Sequence, residues 1–222
     1  VMHDPIQLGS TVRPARIHHD FRNGEWFLRC PIRRGQAGRL PLSTIVRSIN
    51  LSFLIVSTSL RTGSRSQIMA KYLVASFEKD VEFFNLQENP LPMCDGDECY
   101  DLPEVLDFRK KIKNAEGIIM AIPVYNFNAS SGAKNIVELG GSMLYDKTFG
   151  FLCAAGGRNS YMSVMSLANS LMLDFRCYII PKFVFATKND FEENKIVNPE
   201  IKDRIEELGS ELIRVSSALG KD

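Results

Sequence analysis

The loop after the first apolar run of the sequence carries a dense set of hydroxyl groups and arginines. Residues 57–66 read STSLRTGSRS and open directly into a helical pattern. Hydroxyls, guanidinium groups and the free backbone amides at a helix start are groups that bind phosphate in proteins. Serine and threonine are also common helix N-caps, but one or two of them would suffice for a cap. The density of these groups therefore favours a phosphate site.

A second loop could bind a flat ring. Residues 123–132 read PVYNFNASSG and follow another apolar run. The proline, asparagines and glycine favour an irregular backbone with exposed amides and carbonyls, and Tyr125 and Phe127 could flank a planar heterocycle. From the residues alone, these aromatic side chains could equally belong to the core or to a subunit contact.

The third loop contains a pair of glycines. Residues 153–160 read CAAGGRNS, and Gly156 and Gly157 would allow the backbone to approach a ligand closely. A tight turn without a ligand is the alternative. Cys153 and Arg158 resemble the two ends of a phosphatase loop, but four residues separate them where that loop has five, so this interpretation fails.

Histidine is absent from the part of the sequence that shows regular patterns. The three histidines are His3, His18 and His19, and all lie within the first 50 residues. Their position argues against Ser-His-Asp catalysis, Cys-His catalysis and histidine-ligated zinc in the patterned region. Redox or transfer chemistry there must come from a cofactor or from Asp, Glu, Lys, Tyr and Cys.

Cys94 and Cys99 enclose an acidic segment that reads CDGDEC. Its four intervening residues differ from the two of the common redox motif, two thiols cannot complete a four-cysteine cluster site, and the EF-hand pattern is missing. The neighbouring acids should also raise the thiol pKa values by like-charge repulsion. We therefore interpret this segment as a solvated loop.

The elements that must position these loops alternate between strands and helices. The predicted strands are Leu51–Ser57, Val81–Leu86, Gly117–Ile122, Thr148–Ala154 and Lys182–Ala186. The predicted helices are Ser66–Lys79, Pro103–Asn114, Gly132–Ser142, Ser160–Leu173 and Pro199–Leu219. Continuous apolar strands joined by helices predict an α/β fold with a flavodoxin-like, doubly wound, five-stranded parallel sheet of order 2-1-3-4-5. Ligands of this fold bind beyond the carboxyl ends of the strands, where all three loops should lie.

The first part of the chain differs in composition from the rest. Its first 50 residues hold eight arginines, no lysine and three acidic residues, for a net charge of about +5, against about −4 for the remainder. We expect residues 1–48 to be an Arg-rich leader that is disordered or foreign to the native domain. A disordered arm, an organellar transit segment, sequence upstream of the true start and a partner-binding tail are all open. The domain is expected at residues 49–222.

The overall composition limits the partners. The 222 residues carry 27 Lys plus Arg and 26 Asp plus Glu, a balance that disfavours nucleic acid. No apolar run approaches the roughly 20 residues that span a bilayer, so we expect no membrane partner. Five cysteines in a chain of this length indicate a reducing compartment, and we expect the cytoplasm.

Taken together, the three loops resemble the NADPH-dependent FMN reductase family, a flavodoxin-like group that includes quinone, azo-dye and chromate reductases. The family's first loop typically reads Gly-Ser-Leu-Arg-Lys-Gly-Ser-x-Asn, and residues 58–66 take its place with threonine for the first Gly and serine for the last Asn. Residues 123–126 match the family's Pro-Glu-Tyr-Asn with valine in place of Glu, and residues 132–135 resemble its Gly-x-x-Lys-Asn segment, with one residue between Gly and Lys in place of two. The resemblance covers about residues 50–190.

The resemblance implies which residues bind FMN. It assigns the cofactor to Ser59, Arg61, Ser64, Ser66, Pro123, Val124, Tyr125, Asn126, Ala155, Gly156 and Gly157. No catalytic side chain is implied, because the flavin carries the chemistry.

The same resemblance implies the reaction. A hydride would pass from NADPH (or NADH) to FMN, and the electrons would then reduce a small acceptor: a quinone, an azo compound, a metal oxyanion or free flavin. It also implies a homodimer or homotetramer. Two other functions stay open, a flavodoxin-type electron carrier and a cofactor-free interaction module.

Overall fold

The computed structural model describes residues 18–19, 26–27 and 52–220. The chain divides into two units, Val1–Arg47 and Ser48–Asp222. In the first unit, His18–His19 pairs antiparallel with Trp26–Phe27. The other residues of the predicted leader lie outside the described part of the chain, so the expectation for residues 1–48 stays a prediction.

The second unit is built on a parallel sheet. Its strands are β1 (Phe53–Ser57), β2 (Val81–Asn85), β3 (Gly117–Tyr125), β4 (Asn128–Ala129), β5 (Thr148–Ala154), β6 (Tyr178–Ile179) and β7 (Val184–Ala186). The main path runs β2-β1-β3-β5-β6, and β7 also pairs with β5. All of these pairings are parallel except that β4 folds back antiparallel onto β3. A separate small hairpin joins β8 (Phe191–Glu192) to β9 (Lys195–Ile196).

Five helices cover the two faces of the sheet. They are α1 (Arg65–Ser76), α2 (Pro103–Asn114), α3 (Ser131–Gly140), α4 (Met165–Phe175) and α5 (Pro199–Leu219). Along β1, Phe53 and Ile55 pack with apolar residues of α1 and α5, whereas Leu54 and Val56 pack with those of α2, α3 and α4. A parallel sheet buried on both faces explains why its strands are continuous apolar runs.

The flavodoxin-like fold and its strand order are therefore confirmed, with two differences in detail. The fifth position of the sheet is shared by the two short strands β6 and β7, where the sequence predicted one strand at Lys182–Ala186. Strand β3 continues to Tyr125, three residues beyond its predicted end, because β4 pairs with its last residues. The part of the chain described by the structure contains no helix long and apolar enough to cross a membrane.

Candidate functional site

The carboxyl ends of β1, β3 and β5 border a cavity of about 640 Å³. Nine of the predicted site residues line it: Arg61, Ser64, Ser66, Pro123, Val124, Tyr125, Asn126, Ala155 and Gly156. Gly157 lines a neighbouring cavity of about 590 Å³, which shares Val124, Asn126 and Gly156 with the first. The parallel strands thus bring all three loops to one place, as expected at this edge of a doubly wound sheet.

The first loop ends as the start of helix α1. Ser64 is the N-cap, and its Oγ accepts a hydrogen bond from the backbone N–H of Gln67 at 3.2 Å. Ser64 Oγ also lies 3.0 Å from Ser66 Oγ. One hydrogen bond between two hydroxyls uses one of their two protons, so the other can still be donated to a ligand. Together with the N–H groups of the first helical turn, this arrangement suits an anion.

Ser59 differs from the other predicted phosphate ligands. Unlike Ser64 and Ser66, it does not line the cavity. Instead, Ser59 Oγ accepts a hydrogen bond from the backbone N–H of Arg61 at 3.2 Å. The N–H and the hydroxyl of the preceding Thr58 both donate to the carbonyl of Ala121 on β3, each at 3.0 Å. Ser59 and Thr58 therefore shape the loop from within.

Two arginines supply positive charge at this end of the cavity. Arg61 and Arg65 are both exposed and both line it. The Arg65 guanidinium lies 6.0 Å from the ring centroid of Phe191, a distance at which a cation and an aromatic face attract each other. This contact links the first turn of α1 to the β8–β9 hairpin.

The second loop is a tight hairpin between β3 and β4. Its two turn residues, Asn126 and Phe127, both have positive φ, 50° and 60°. Asparagine tolerates this backbone, but a bulky aromatic residue rarely adopts it. The Tyr125 and Phe127 side chains are 52% and 68% exposed, so neither belongs to the core. Strain held in a turn beside a cavity is typical of functional sites.

The glycine pair of the third loop is not required by the backbone. A Cβ added at Gly156 or Gly157 would meet no atom within 4 Å, and neither residue has a positive φ. A tight turn that depends on glycine is therefore not the explanation for this pair. The loop is held by the N–H of Ala155, which donates to the carbonyl of Ala186 at 2.9 Å. The missing side chains leave open space beside the cavity.

Comparison with known families identifies the chain. Residues 51–192, more than half of its length, match the family described as NADPH-dependent FMN reductase. The chain belongs to this family. Its members are NAD(P)H-dependent enzymes that use FMN, so the resemblance carried by the three loops is confirmed.

Curated relatives of this FMN reductase are similar at modest identity. An NADPH azoreductase of Bacillus sp. (strain OY1-2) is 28% identical, with 71% of this chain and 90% of the relative covered. An NADPH:quinone oxidoreductase of Arabidopsis thaliana is 26% identical, with 75% and 90% covered. An NAD(P)H-dependent FAD/FMN reductase of Geobacillus thermodenitrificans (strain NG80-2) is 24% identical, with 64% and 78% covered.

Solved structures support the fold of the reductase. The apo form of NADH:FMN oxidoreductase (EMOB) superposes with a TM-score of 0.64 at 15% identity, covering 78% of this chain and 91% of that one. The flavoenzyme NAD(P)H:(acceptor) oxidoreductase FerB from Paracoccus denitrificans gives a TM-score of 0.64 at 17% identity, covering 77% and 100%.

The sequence did not predict that residues 187–198 of the reductase form a wall of the site. Glu193 and Asn194, at the turn of the β8–β9 hairpin, line the same cavity as residues of the first loop. The base of this segment is held by Asp190. Its carboxylate accepts hydrogen bonds from the Thr187 N–H at 2.7 Å, the Thr187 hydroxyl at 2.9 Å and the Asn198 side chain at 2.7 Å.

Replacing Asp190 by alanine should destabilise the reductase in a pH-dependent way. Burial opposes ionisation of this carboxyl, yet the hydrogen bonds from Asn198 and Thr187 outweigh it and hold the Asp190 pKa below its ordinary value. Hydrogen bonds to a charged group contribute about 1.5–3 kcal/mol, so the free energy of unfolding should fall by about 2–3 kcal/mol near neutral pH.

The effect of this substitution should shrink in acid. A lowered carboxyl pKa stabilises the fold above the pKa of the unfolded chain, and the stabilisation is lost as the pH falls through the folded-state value. Urea unfolding of the wild type and Asp190→Ala at several pH values measures this, with the exposed Asp174→Ala as the control. An equal loss of stability at every pH would contradict the role given to the ionised carboxylate.

Proposed function

We propose that this FMN reductase uses NADPH to reduce small planar acceptors, with quinones and azo compounds as the substrate class. The observation that carries this proposal is the pair of exposed aromatic side chains, Tyr125 and Phe127, on the turn beside the cavity. Aromatic side chains stack on flat conjugated rings. The relatives named NADPH azoreductase and NADPH:quinone oxidoreductase support the same class.

The donors around the cavity are suited to FMN. At one end, Arg61, Arg65 and the hydroxyls of Ser64 and Ser66 form a cationic, hydrogen-bonding wall, as a phosphate requires. A single acidic side chain, Glu193, lies among the cavity residues that the structure describes. The volume of about 640 Å³ lies within the range of about 300–1,000 Å³ that is usual for small-molecule sites.

The other two loops would hold the ring of the cofactor. Pro123, Val124 and Asn126 line one side of the cavity, and Ala155 and Gly156 form another wall. When bound, FMN supplies the redox chemistry by accepting a hydride and passing electrons to a second substrate. The residues of the chain bind and orient that ring. The open space at Gly156 and Gly157 leaves one route to it free.

The aromatic side chains beside the cavity favour planar quinones and azo compounds over metal oxyanions and free flavin. A metal oxyanion has no π-face to stack on Tyr125 or Phe127, so these two side chains would give it no advantage. Free flavin is larger and would need room beyond a bound cofactor. Quinones and azo compounds are small and flat and can use the same aromatic edge.

We also propose that the reductase is a homodimer or homotetramer in the cytoplasm. Residues 158–165 and the β3–β4 turn are neighbours, because the residue after each segment takes part in one hydrogen bond, from Ser166 Oγ to Asn128 Oδ1 at 2.8 Å. Both segments carry exposed apolar side chains. These side chains are Phe127, Tyr161, Met162 and Met165. The four cysteines of the described chain are free thiols, which supports a reducing compartment.

The proposed reaction is tested by visible spectroscopy followed by acceptor kinetics. The purified protein, supplied with FMN, should show oxidised flavin bands that bleach when NADPH is added without oxygen. A quinone or an azo dye should then restore the bands, with ping-pong steady-state kinetics and a higher kcat/KM than chromate or free FMN. Bands that persist with NADPH would indicate an electron carrier, and failure to take up FMN would indicate a cofactor-free module. Preference for chromate or free FMN would overturn the substrate class alone.

A further inference from the structure

The side chains of Cys94 and Cys99 lie close together, although their spacing matches no common redox motif. Their Sγ atoms are 3.9 Å apart and both are free thiols. The acidic residues between them are exposed, as expected of a solvated loop, but the sulfur atoms pack against the protein. Cys99 is only 2% exposed and forms a small apolar cluster with Val105 and Leu139. The interpretation as a solvated loop therefore holds for the acidic residues but is wrong for Cys99, whose side chain is buried.

The backbone around the thiols is anchored at both ends. The N–H of Cys94 donates to Asn135 Oδ1 at 2.8 Å, and Asn135 Nδ2 donates to the carbonyl of Pro92 at 2.8 Å. Asp95 Oδ1 accepts hydrogen bonds from the N–H groups of Asp97 at 2.9 Å and Cys99 at 3.2 Å. The tight turn that results brings the side chains of the two cysteines close together.

The two thiols differ in accessibility. Cys94 is partly exposed and lines a cavity of about 830 Å³ between this loop, α3 and α4. Cys99 is buried behind it, and burial together with the Asp95 carboxylate raises the pKa of the Cys99 thiol. The Tyr100 hydroxyl lies 3.3 Å from Cys94 Sγ, and this contact helps raise the Tyr100 pKa to about 12, so at neutral pH the phenol keeps its proton and can donate to a Cys94 thiolate.

We propose that Cys94 and Cys99 form a reversible dithiol–disulfide pair that small disulfides oxidise. This pair is separate from the FMN cavity, and none of the described residues that line that cavity takes part in it. To form the bond, the two sulfur atoms must approach from 3.9 Å to about 2.05 Å.

The reaction balances with a glutathione-type disulfide as the oxidant. The Cys94 thiolate attacks one sulfur of oxidised glutathione, forms a mixed disulfide and releases one glutathione thiolate. The Cys99 thiol then loses its proton to solvent and attacks Cys94 Sγ, which forms the Cys94–Cys99 bond and expels the second glutathione thiolate. The pair is oxidised by two electrons, and one glutathione disulfide is reduced to two thiols.

Thiol counting and mass spectrometry test this proposal on the full chain carrying Cys30→Ser, which removes the cysteine outside the described residues. After incubation with oxidised glutathione, four free thiols should fall to two, with a peptide link between Cys94 and Cys99 that dithiothreitol reverses. Cys153 and Cys177 serve as internal controls, because burial raises the pKa of each thiol to about 12 and both should stay reduced.

Two variants test the order of attack. Cys99→Ser should stop at a stable mixed disulfide on Cys94, whereas Cys94→Ser should react at least tenfold more slowly with oxidised glutathione. Faster modification of Cys99 than of Cys94 would overturn the assignment of Cys94 as the attacking thiol. A thiol count that stays at four, or mixed disulfides on both cysteines without a link between them, would overturn the pair itself.

Discussion

Replacing Arg61 and Ser66 together by alanine should weaken FMN binding about a hundredfold or more and leave the fold intact. Both side chains line the same end of the cavity, at the start of α1. A hydrogen bond to a charged group contributes about 1.5–3 kcal/mol, so losing two such bonds lowers the affinity by at least two powers of ten. Fluorescence quenching of FMN, titrated with apoprotein, measures the change.

Ser66 is a better choice than Ser64 for this variant. Ser64 caps α1 through its hydrogen bond with the Gln67 N–H, and losing a serine cap costs about 1 kcal/mol of stability whether or not a phosphate is bound. Ser66 makes no such bond to the helix backbone among its described contacts, and its hydroxyl meets only Ser64 Oγ at 3.0 Å. The effect on FMN is then separated from an effect on the helix.

Two controls make the result specific to phosphate. Riboflavin has the same ring as FMN but no phosphate, so its affinity should change little in the Arg61→Ala/Ser66→Ala variant. A second double variant, Arg214→Ala/Ser210→Ala, removes the same two residue types from the exposed face of α5 and should bind FMN normally. Unchanged FMN affinity, or equal losses for FMN and riboflavin, would show that this loop does not hold the phosphate.

The arrangement of the sheet could be predicted because its main strands are clear in the sequence as apolar runs. Residues 53–56 and 117–122 are continuous apolar runs, and a strand buried on both faces needs no polar alternation. The positions of the three loops follow from that topology alone, which is why nine predicted residues share one cavity. What a sequence does not give is the direction of a side chain. Ser59 and Ser64 look alike in the sequence, and each hydroxyl accepts a hydrogen bond from a nearby backbone N–H, yet only Ser64 lines the cavity.

The features that escaped prediction depend on contacts between short segments. The β8 and β9 strands have two residues each, too few for a periodic pattern, and the hairpin is held by Asp190 across residues 187–198. Strand β3 was predicted to end at Ile122. It continues because its last residues pair with β4, and the Pro123 carbonyl accepts a bond from the Ser130 N–H at 3.2 Å.

The cysteine pair illustrates the same limit. The spacing of Cys94 and Cys99 matches no common motif, so no pattern in the sequence predicts that they pair. The position of Cys94 depends on Asn135 of α3, which lies some forty residues further along the chain and accepts a hydrogen bond from the Cys94 N–H. A pattern search within a short window cannot register such a contact.

Gly132 links two of the site loops, and its replacement by alanine should have the second large effect. A Cβ at this position would lie 2.7 Å from the carbonyl oxygen of Thr58 and 3.2 Å from Leu86 Cδ2. The first distance is shorter than real Cβ contacts allow, and Thr58 cannot readily retreat, because its N–H and its hydroxyl are both bonded to the Ala121 carbonyl. Helix α3 must therefore move away from the first loop, residues 57–66.

The expected loss of stability is set by this overpacking. Forcing an extra carbon into a filled space costs about 1–3 kcal/mol. Alanine is a better helix former than glycine by up to about 1 kcal/mol, and Gly132 has no positive φ that alanine would strain, so propensity alone would raise stability. A net decrease in the urea midpoint thus isolates the steric contact. FMN affinity should fall as well, because residues 57–66 and 123–132 no longer keep their spacing.

Gly156→Ala is the matched control for Gly132→Ala. A Cβ at Gly156 meets nothing within 4 Å, so the free energy of unfolding should change by no more than about 0.5 kcal/mol. If the backbone at Gly156 approaches the flavin, however, its FMN affinity should fall without any loss of stability. The two variants then separate a glycine needed for the fold from one needed for the ligand. A Gly132→Ala protein as stable as the wild type would show that α3 yields freely, and that the contact with Thr58 does not position the two loops.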